Sequence, residues 1–401
     1  MILSPFAQAI SAAQFLRSAF STPTDFVQLA IISDGAIGLA GGYLLTGKTD
    51  SLQIYLTHQD SSKKGQVSKA PYVVELIERG KESGKQIPLQ VDHFSKDNLS
   101  SLKNCNAIMI AEPATAYGEV IARLTDYFVN GQTILLVNAP IGAGLQFQYE
   151  MRKAHLDHQL NILELGTLFD CARVDNNVLK VVGARRKVSI CGNSRNETRR
   201  ALTITSSLSK SLVPSSNVLE RGFAELERTI RPVLLLFALL GGATDEFSDL
   251  SHIVNPSLTL IVRGLEAEIQ AICKQYRLTS RGFLDTLTEL SAVHWDDADC
   301  LDQALITVGP TLLSQIRWEM PNSSDICKNR AIEVLTKDVT ETLTLIEDLG
   351  RTARVHTPIL DSIINLANVI TRSDLRKTGR NLSSLGLFGF DLAEINELIN
   401  A

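Results

Sequence analysis

The sequence has no Cys-x-x-Cys pair, and its six cysteines, Cys105, Cys171, Cys191, Cys273, Cys300 and Cys327, form no tight cluster with histidine. That spacing excludes a zinc ribbon and a disulfide-knit secreted scaffold, and predicts reduced thiols in a cytoplasmic protein. No apolar run approaches the ~20 residues needed to span a bilayer, and the longest, Val233 to Leu240, is less than half as long. An excess of positive charge is also missing. With 39 Lys and Arg against 44 Asp and Glu, the net charge is −5, which argues against a nucleic-acid or membrane partner. What remains is an ordinary globular balance, 44% hydrophobic and 21% charged over 401 residues. That length suits roughly two or three domains.

Residues 1–26 read as an N-terminal extension. Residues 1–21 carry a single charge, Arg17, and Pro5 with no basic start disfavours a secretory signal. An added surface helix is the expectation, with a weak targeting segment as the alternative. Beyond it, short apolar runs alternate with helical stretches. Val27–Ile32, Leu52–Leu56, Ala107–Ala111 and Thr133–Val137 read as buried strands, and Gly38–Leu45 and Tyr117–Tyr127 as helices. Further strands at Asn161–Leu165, Val178–Val182 and Lys187–Cys191 are expected to extend the same sheet. Such alternation predicts a parallel, doubly wound sheet. From about Glu220 the patterns lengthen to helical period. Leu258, Ile261, Val262, Leu265, Ile269 and Ile272 share one helical face. Asp338–Leu349 and Pro358–Ile370 read as helices too, and Thr357-Pro358 as a cap followed by proline in the first turn.

The first strand runs into Ser33-Asp34-Gly35-Ala36-Ile37-Gly38 at the start of the first helix. A dinucleotide-binding turn takes Gly-x-Gly-x-x-Gly at this place. Gly35 and Gly38 match the second and third glycines, and Ser33 stands at the first. Gly35 lets the backbone approach a pyrophosphate, Gly38 lets helix and strand pack closely, and the helix N-terminus offers N–H groups to the phosphates. The order strand, turn, helix, strand therefore predicts an NAD(P) site with Ser33, Gly35, Ala36, Ile37 and Gly38 as its floor. Past the second strand, Gln59, Ser61 and Lys63 can hold a 2′-phosphate, which favours NADP. Asp60 leaves NAD as the alternative. Ala111 and Thr115 after the third strand, and Asn138 after the fourth, fall at the carboxyl edge of the sheet and complete the expected cofactor contacts. Tyr117 and Gly142, in the loops at the same edge, are expected substrate contacts. The fold class is thus an N-terminal Rossmann-type doubly wound parallel sheet over 27–205, followed by an all-helical substrate domain over 215–401.

The order of several pieces resembles the opine dehydrogenases, which include octopine dehydrogenase and the opine-metallophore synthases. The pieces are Thr336-Lys337-Asp338-Val339, Leu349-Gly350, Thr357-Pro358-Ile359-Leu360-Asp361, Gly379-Arg380-Asn381-Leu382 and Leu385-Gly386-Leu387, with Glu164, Thr167 and Cys171-Ala172-Arg173 mid-chain. The resemblance implies reductive condensation of an amino acid or amine with a 2-oxo acid, by hydride transfer from NAD(P)H to an imine. It adds Arg173 as a third expected substrate contact. It also implies a catalytic histidine before a proline, and an arginine five residues before an aspartate. Here those positions read Arg231-Pro232 and Glu333, and only Asp338 matches. An exchange of charges between facing positions 231 and 333 is the expectation, with a structural ion pair as the bland alternative. Arg231 stays protonated, so it can grip a carboxylate but cannot shuttle a proton. His252, ahead of the long helix, is the substitute acid/base, or else a capping residue. His294 beside Asp296 and Asp297 matches no standard ligand set, so no metal is expected. Two rival readings stay open: a 2-oxo or 2-hydroxy acid reductase without an amine partner, and an inactive nucleotide-binding relative. A homodimer is a further open possibility.

Overall fold

The computed structural model describes residues 28–33, 35–46, 51–55, 72–77, 85–89, 93–95, 99–175, 178–185, 187–193, 212–241, 250–291, 293, 295, 300–317 and 324–400. The expectations for 1–26, Asp34, Gln59, Asp60, Ser61, Lys63 and His294 lie outside them. The chain divides between Arg221 and Gly222 into two compact units.

Among the described residues the first unit holds twelve strands: β1 (Gln28–Ser33), β2 (Ser51–Tyr55), β3 (Tyr72–Ile77), β4 (Lys85–Leu89), β5 (His93–Ser95), β6 (Ala107–Ala111), β7 (Thr133–Leu136), β8 (Asn161–Leu165), β9 (Phe169–Asp175), β10 (Val178–Ala184), β11 (Val188–Gly192) and β12 (Leu212–Pro214). Eight of them form one sheet in the order β12-β11-β8-β7-β6-β1-β2-β5. The pairs from β5 to β8 are all parallel, while β11 runs antiparallel to β8. The chain reverses its winding at β1, with β2 on one side and β6 on the other. In an open α/β sheet that reversal is where ligands bind, at the carboxyl ends of the strands. The middle strands read as unbroken apolar runs because they are covered on both faces: Ile31, Ile108, Met109 and Leu135 are fully buried. Three helices, α1 (Ala36–Thr46), α2 (Tyr117–Leu124) and α3 (Ala143–Lys153), accompany the strands.

Two expectations are corrected here. Val178–Val182 does not extend the main sheet. It lies in β10 of a separate four-stranded sheet, β4-β3-β10-β9, with β3 and β9 as its neighbours. Periodicity marks a strand as buried but does not name its partner. The α1 helix packs against both β1 and β6 of the large sheet and β9 and β10 of the small one. The sheet is also mixed rather than purely parallel, since β11 turns back. Its last strand, β12, carries the first unit past residue 205.

The second unit is helical among the described residues. After α4 (Val218–Phe223), which straddles the division, come α5 (Glu227–Leu240), α6 (Pro256–Gln275), α7 (Phe283–Ser291), α8 (Leu301–Leu312), α9 (Ser314–Arg317), α10 (Ser324–Asp338), α11 (Thr344–Thr352), α12 (Pro358–Thr371), α13 (Leu375–Thr378) and α14 (Leu392–Asn400). Helix α6 buries Leu258, Val262, Leu265, Ile269 and Ile272, the face expected, and Asn255 caps it through its side chain. Thr357 does not cap α12 with its side chain. The Glu268 carboxylate on α6 instead accepts from the N–H groups of Ile359 and Leu360, at 2.8 and 2.9 Å. Between α10 and α11, residues Val339–Leu343 form a π-helical turn. No helix among the described residues is long and apolar enough to cross a membrane.

Candidate functional site

In the first unit, Ser33 is the last residue of β1 and pairs in register with Ala111, the last of β6. Two expected cofactor residues thus meet where the winding reverses. Ser33 is buried, and its hydroxyl accepts from the Gly35 N–H at 3.1 Å, closing a tight turn into α1. A side chain at Gly38 has no room: its Cβ would lie 2.3 Å from the Ser33 Cβ and 2.4 Å from the hydroxyl. Only glycine allows this approach of helix to strand. At Gly35 the opposite holds, since a Cβ would meet nothing within 4 Å. The turn therefore presents open space at Gly35 over a helix N-terminus with no acidic residue in its first turn. This fits the pyrophosphate of a dinucleotide, which takes N–H donors and the positive end of a helix.

The neighbouring loops are held from beneath. Gln146 on α3 donates to the Ala114 carbonyl at 2.8 Å, which fixes the loop that leaves Thr115 exposed. Asn138 adopts φ +50 just past β7, and its side-chain oxygen accepts from the Leu168 N–H. Gly142 begins α3 with φ +64 and is buried. Glu164 on β8 accepts from the Gly144 N–H at 2.6 Å, so the amino end of α3 already faces a carboxylate. The other oxygen of Glu164 takes Nε of Arg221 at 2.6 Å, and Arg221 also donates to the Pro140 carbonyl at 2.7 Å. Both side chains are fully buried. This pair ties β8, the β7 loop and α4 together, which the sequence reading missed: Glu164 entered only through the resemblance. Tyr117 is corrected as a substrate contact. Its ring is fully buried, edge-to-face on Phe147 at 5.4 Å, and belongs to the core. Arg173 lies on β9 of the small sheet, its backbone opposite Lys180.

In the second unit, Arg231 on α5 and Asp338 at the end of α10 form a bidentate pair, Nε to Oδ2 at 2.5 Å and Nη2 to Oδ1 at 2.6 Å. Both are buried. One turn away, Arg228 meets Glu341 at 3.4 Å. The two pairs step three residues up α5 and three residues down the partner run, the pattern of antiparallel helices side by side. Burial alone pulls the Arg231 guanidinium down, but Asp338 foremost, with Glu227 and Glu341, holds it above its ordinary value. Arg231 is thus a permanent cation. Its hydrogen bonds to described residues are both to Asp338, leaving Nη1 for another acceptor.

Glu333 does not face Arg231, which corrects the expected exchange. It is on the exposed side of α10 and pairs with Arg330 at 2.8 Å. Five residues along an α-helix turn a side chain through about 500°, so positions 333 and 338 point about 140° apart. His252 is exposed on the turn before α6 and is not among the groups that act on Arg231. Among the described residues, Cys105, Cys191, Cys273, Cys300 and Cys327 are not joined in disulfides. No group of three or more potential metal ligands occurs among the described residues.

No family model matches the chain. A curated relative, an opine dehydrogenase from Arthrobacter sp. (strain 1C), is 23% identical over 312 residues, covering 77% of this chain and 82% of the relative. The structure of octopine dehydrogenase in complex with NADH and agmatine superposes with a TM-score of 0.66 at 13% identity, over 93% of this chain and 98% of that one. NADP+-bound yersinopine dehydrogenase superposes with a TM-score of 0.60 at 13% identity and the same coverage. The chain is therefore opine-dehydrogenase-like in sequence and fold, with an N-terminal Rossmann-type unit and a helical C-terminal unit.

Proposed function

We propose that this chain is an NAD(P)-dependent oxidoreductase of the opine dehydrogenase kind, joining a 2-oxo acid to an amino acid or amine by reduction of the imine between them. The observation that carries the reading is the β1–α1 turn, where Gly38 packs on Ser33 and Gly35 opens to solvent. Ser33, Gly35, Ala36, Ile37 and Gly38 hold the pyrophosphate, with Ala111, Thr115 and Asn138 along the same sheet edge. The coenzyme, when bound, supplies the hydride. NADP is preferred over NAD on the strength of Gln59, Ser61 and Lys63.

Arg231 in this reading anchors a substrate carboxylate through Nη1, while Asp338 fixes its plane from the other edge. It moves no proton. His252 is the candidate for that task. Fluorescence titration with NADPH and with NADH tests the coenzyme site, and absence of binding at millimolar coenzyme refutes the whole reading. NADPH oxidation is then compared with pyruvate alone and with pyruvate plus a panel of amino acids and amines. Oxidation only with both partners is expected. Oxidation with pyruvate alone would identify a simple 2-oxo acid reductase, and tight binding without any turnover an inactive relative.

A further inference from the structure

The Gly379-Arg380 segment has no place in the chemistry above, yet the structure gives it an unusual setting. Arg380 is almost fully buried. Its backbone N–H donates to the Thr340 carbonyl at 2.8 Å, and its Nη1 to the Glu341 carbonyl at 2.8 Å. Both carbonyls lie in the π-helical turn Val339–Leu343. A π turn breaks the i→i+4 ladder of an α-helix, and the Thr344 N–H here bonds the Val339 carbonyl instead, so outside donors to its carbonyls help to hold it. Arg380 supplies two, and the Thr344 hydroxyl serves those of Val339 and Thr340 at 3.3 and 3.1 Å. Gly379 makes the approach possible, since a Cβ there would stand 2.5 Å from the Thr344 hydroxyl and 2.6 Å from the Leu375 carbonyl.

The turn matters because of what it aligns. Asp338 precedes it directly and Glu341 sits within it, and these two meet Arg231 and Arg228 on α5. One extra residue in a helix shifts everything on its far side by about 100°. Collapse of the π turn into α-helix would therefore turn the end of α10, with Asp338, relative to α11, and Asp338 could not keep its bidentate contact with Arg231 while α11 keeps its place.

We infer that Arg380 is a positioning residue: by holding the π turn open it sets Asp338, and through Asp338 the plane of Arg231. The inference about turnover rests on the proposed function, but the positioning itself does not. The test uses the full chain with arginine labelled with ¹⁵N, observing the Arg231 Nε–H resonance, assigned by its loss in Arg231→Lys. In Arg380→Gln the resonance is expected to lose the shift and exchange protection of a bidentate carboxylate pair, and in Arg380→Lys to retain them in part. Thr344→Val, which keeps Arg380, should move it less and in the same direction. In parallel, NADPH oxidation in Arg380→Gln should lose roughly 10- to 100-fold in kcat, with the affinity for NADPH unchanged and partial recovery in Arg380→Lys. A folded Arg380→Gln chain with an unmoved Arg231 resonance overturns the inference, even if its melting temperature drops, because Arg380 would then be structural only. If the parent chain turns over no substrate pair, the proposed function fails while the resonance still decides the positioning.

Discussion

Replacing Gly38 with alanine puts the reading of the β1–α1 turn at risk most directly. The new Cβ would start 2.3 Å from the Ser33 Cβ, where ordinary contact begins at 3.4 Å, so the helix must retreat by about 1.1 Å. Ser33 has little room to give, since it is buried and ends a central strand. Overpacking of this kind costs about 1–3 kcal/mol. For a unit of some 150–250 residues each kcal/mol lowers the melting temperature by about 2–4 °C. A retreat of that size also pulls the helix N–H groups off a bound pyrophosphate. Losing one hydrogen bond to a charged group is worth about 1.5–3 kcal/mol, or roughly 10- to 100-fold in affinity. Gly35→Ala is the matched control. Its Cβ meets nothing within 4 Å, so stability should hold within about 0.5 kcal/mol while the close approach of the pyrophosphate is lost. Thermal melts and NADPH titration of both variants read the two effects separately. The double change Ser33→Gly, Gly38→Ala removes the Ser33 side chain from the clash and should recover part of the stability. A Gly38→Ala protein that melts and binds like the parent would refute the argument.

Asp338→Asn strips a buried cation of its carboxylate and is expected to cost about 3–5 kcal/mol in urea unfolding, with Glu227 and Glu341 keeping the loss toward the lower figure. Glu164→Ala leaves Arg221 buried and the amino end of α3 unmatched, and an equal loss is expected in the first unit. Burial pushes the Cys105 thiol up from 9.0 to about 11. Because the folded value exceeds the unfolded one, its contribution is intact below pH 9 and drains away as pH rises toward 11. Melts between those limits should show that loss, and Cys105→Ala should remove it. Glu333→Ala touches only an exposed pair and should leave stability within about 0.5 kcal/mol and turnover unchanged. His252→Ala should lower kcat with the affinity for NADPH unchanged, and unchanged turnover removes His252 from the mechanism.

Legibility in the sequence followed the range of the interaction. The Ser33–Gly38 turn could be read because a glycine that packs on a strand end and one that opens onto empty space are set by neighbours within five residues. Helix α6 was equally plain, its face repeating every three or four positions. The small sheet was not. Tyr72–Ile77 and Val178–Ala184 are sound strands, but their pairing joins residues a hundred positions apart, and an apolar run carries no mark of its partner. Tyr117 shows the same limit on a single side chain: its place after β6 suggested a ligand, while Phe147 on α3 claims it for the core. Glu333 failed for another reason. Counting back from Asp338 respects a motif, whereas helical geometry places the two residues on different faces. The spacing that would have found the true cluster was present, Arg228 with Arg231 and Asp338 with Glu341, each three apart.

The Arg231–Asp338 pair narrows what the helical unit can contribute to chemistry. A histidine at this point would exchange protons near neutral pH, and an aspartate beside it would orient the ring. An arginine in the same contact exchanges none, and Asp338 with its acidic neighbours makes it a firmer cation still. The centre of the unit is therefore a device of fixed charge. It can bind and align an anionic group with the same strength across the working pH range. Any proton needed to expel water as an imine forms must come from a different group or from solvent. Hydride addition to a protonated imine yields the amine without a further proton, so the reduction itself does not suffer from the substitution.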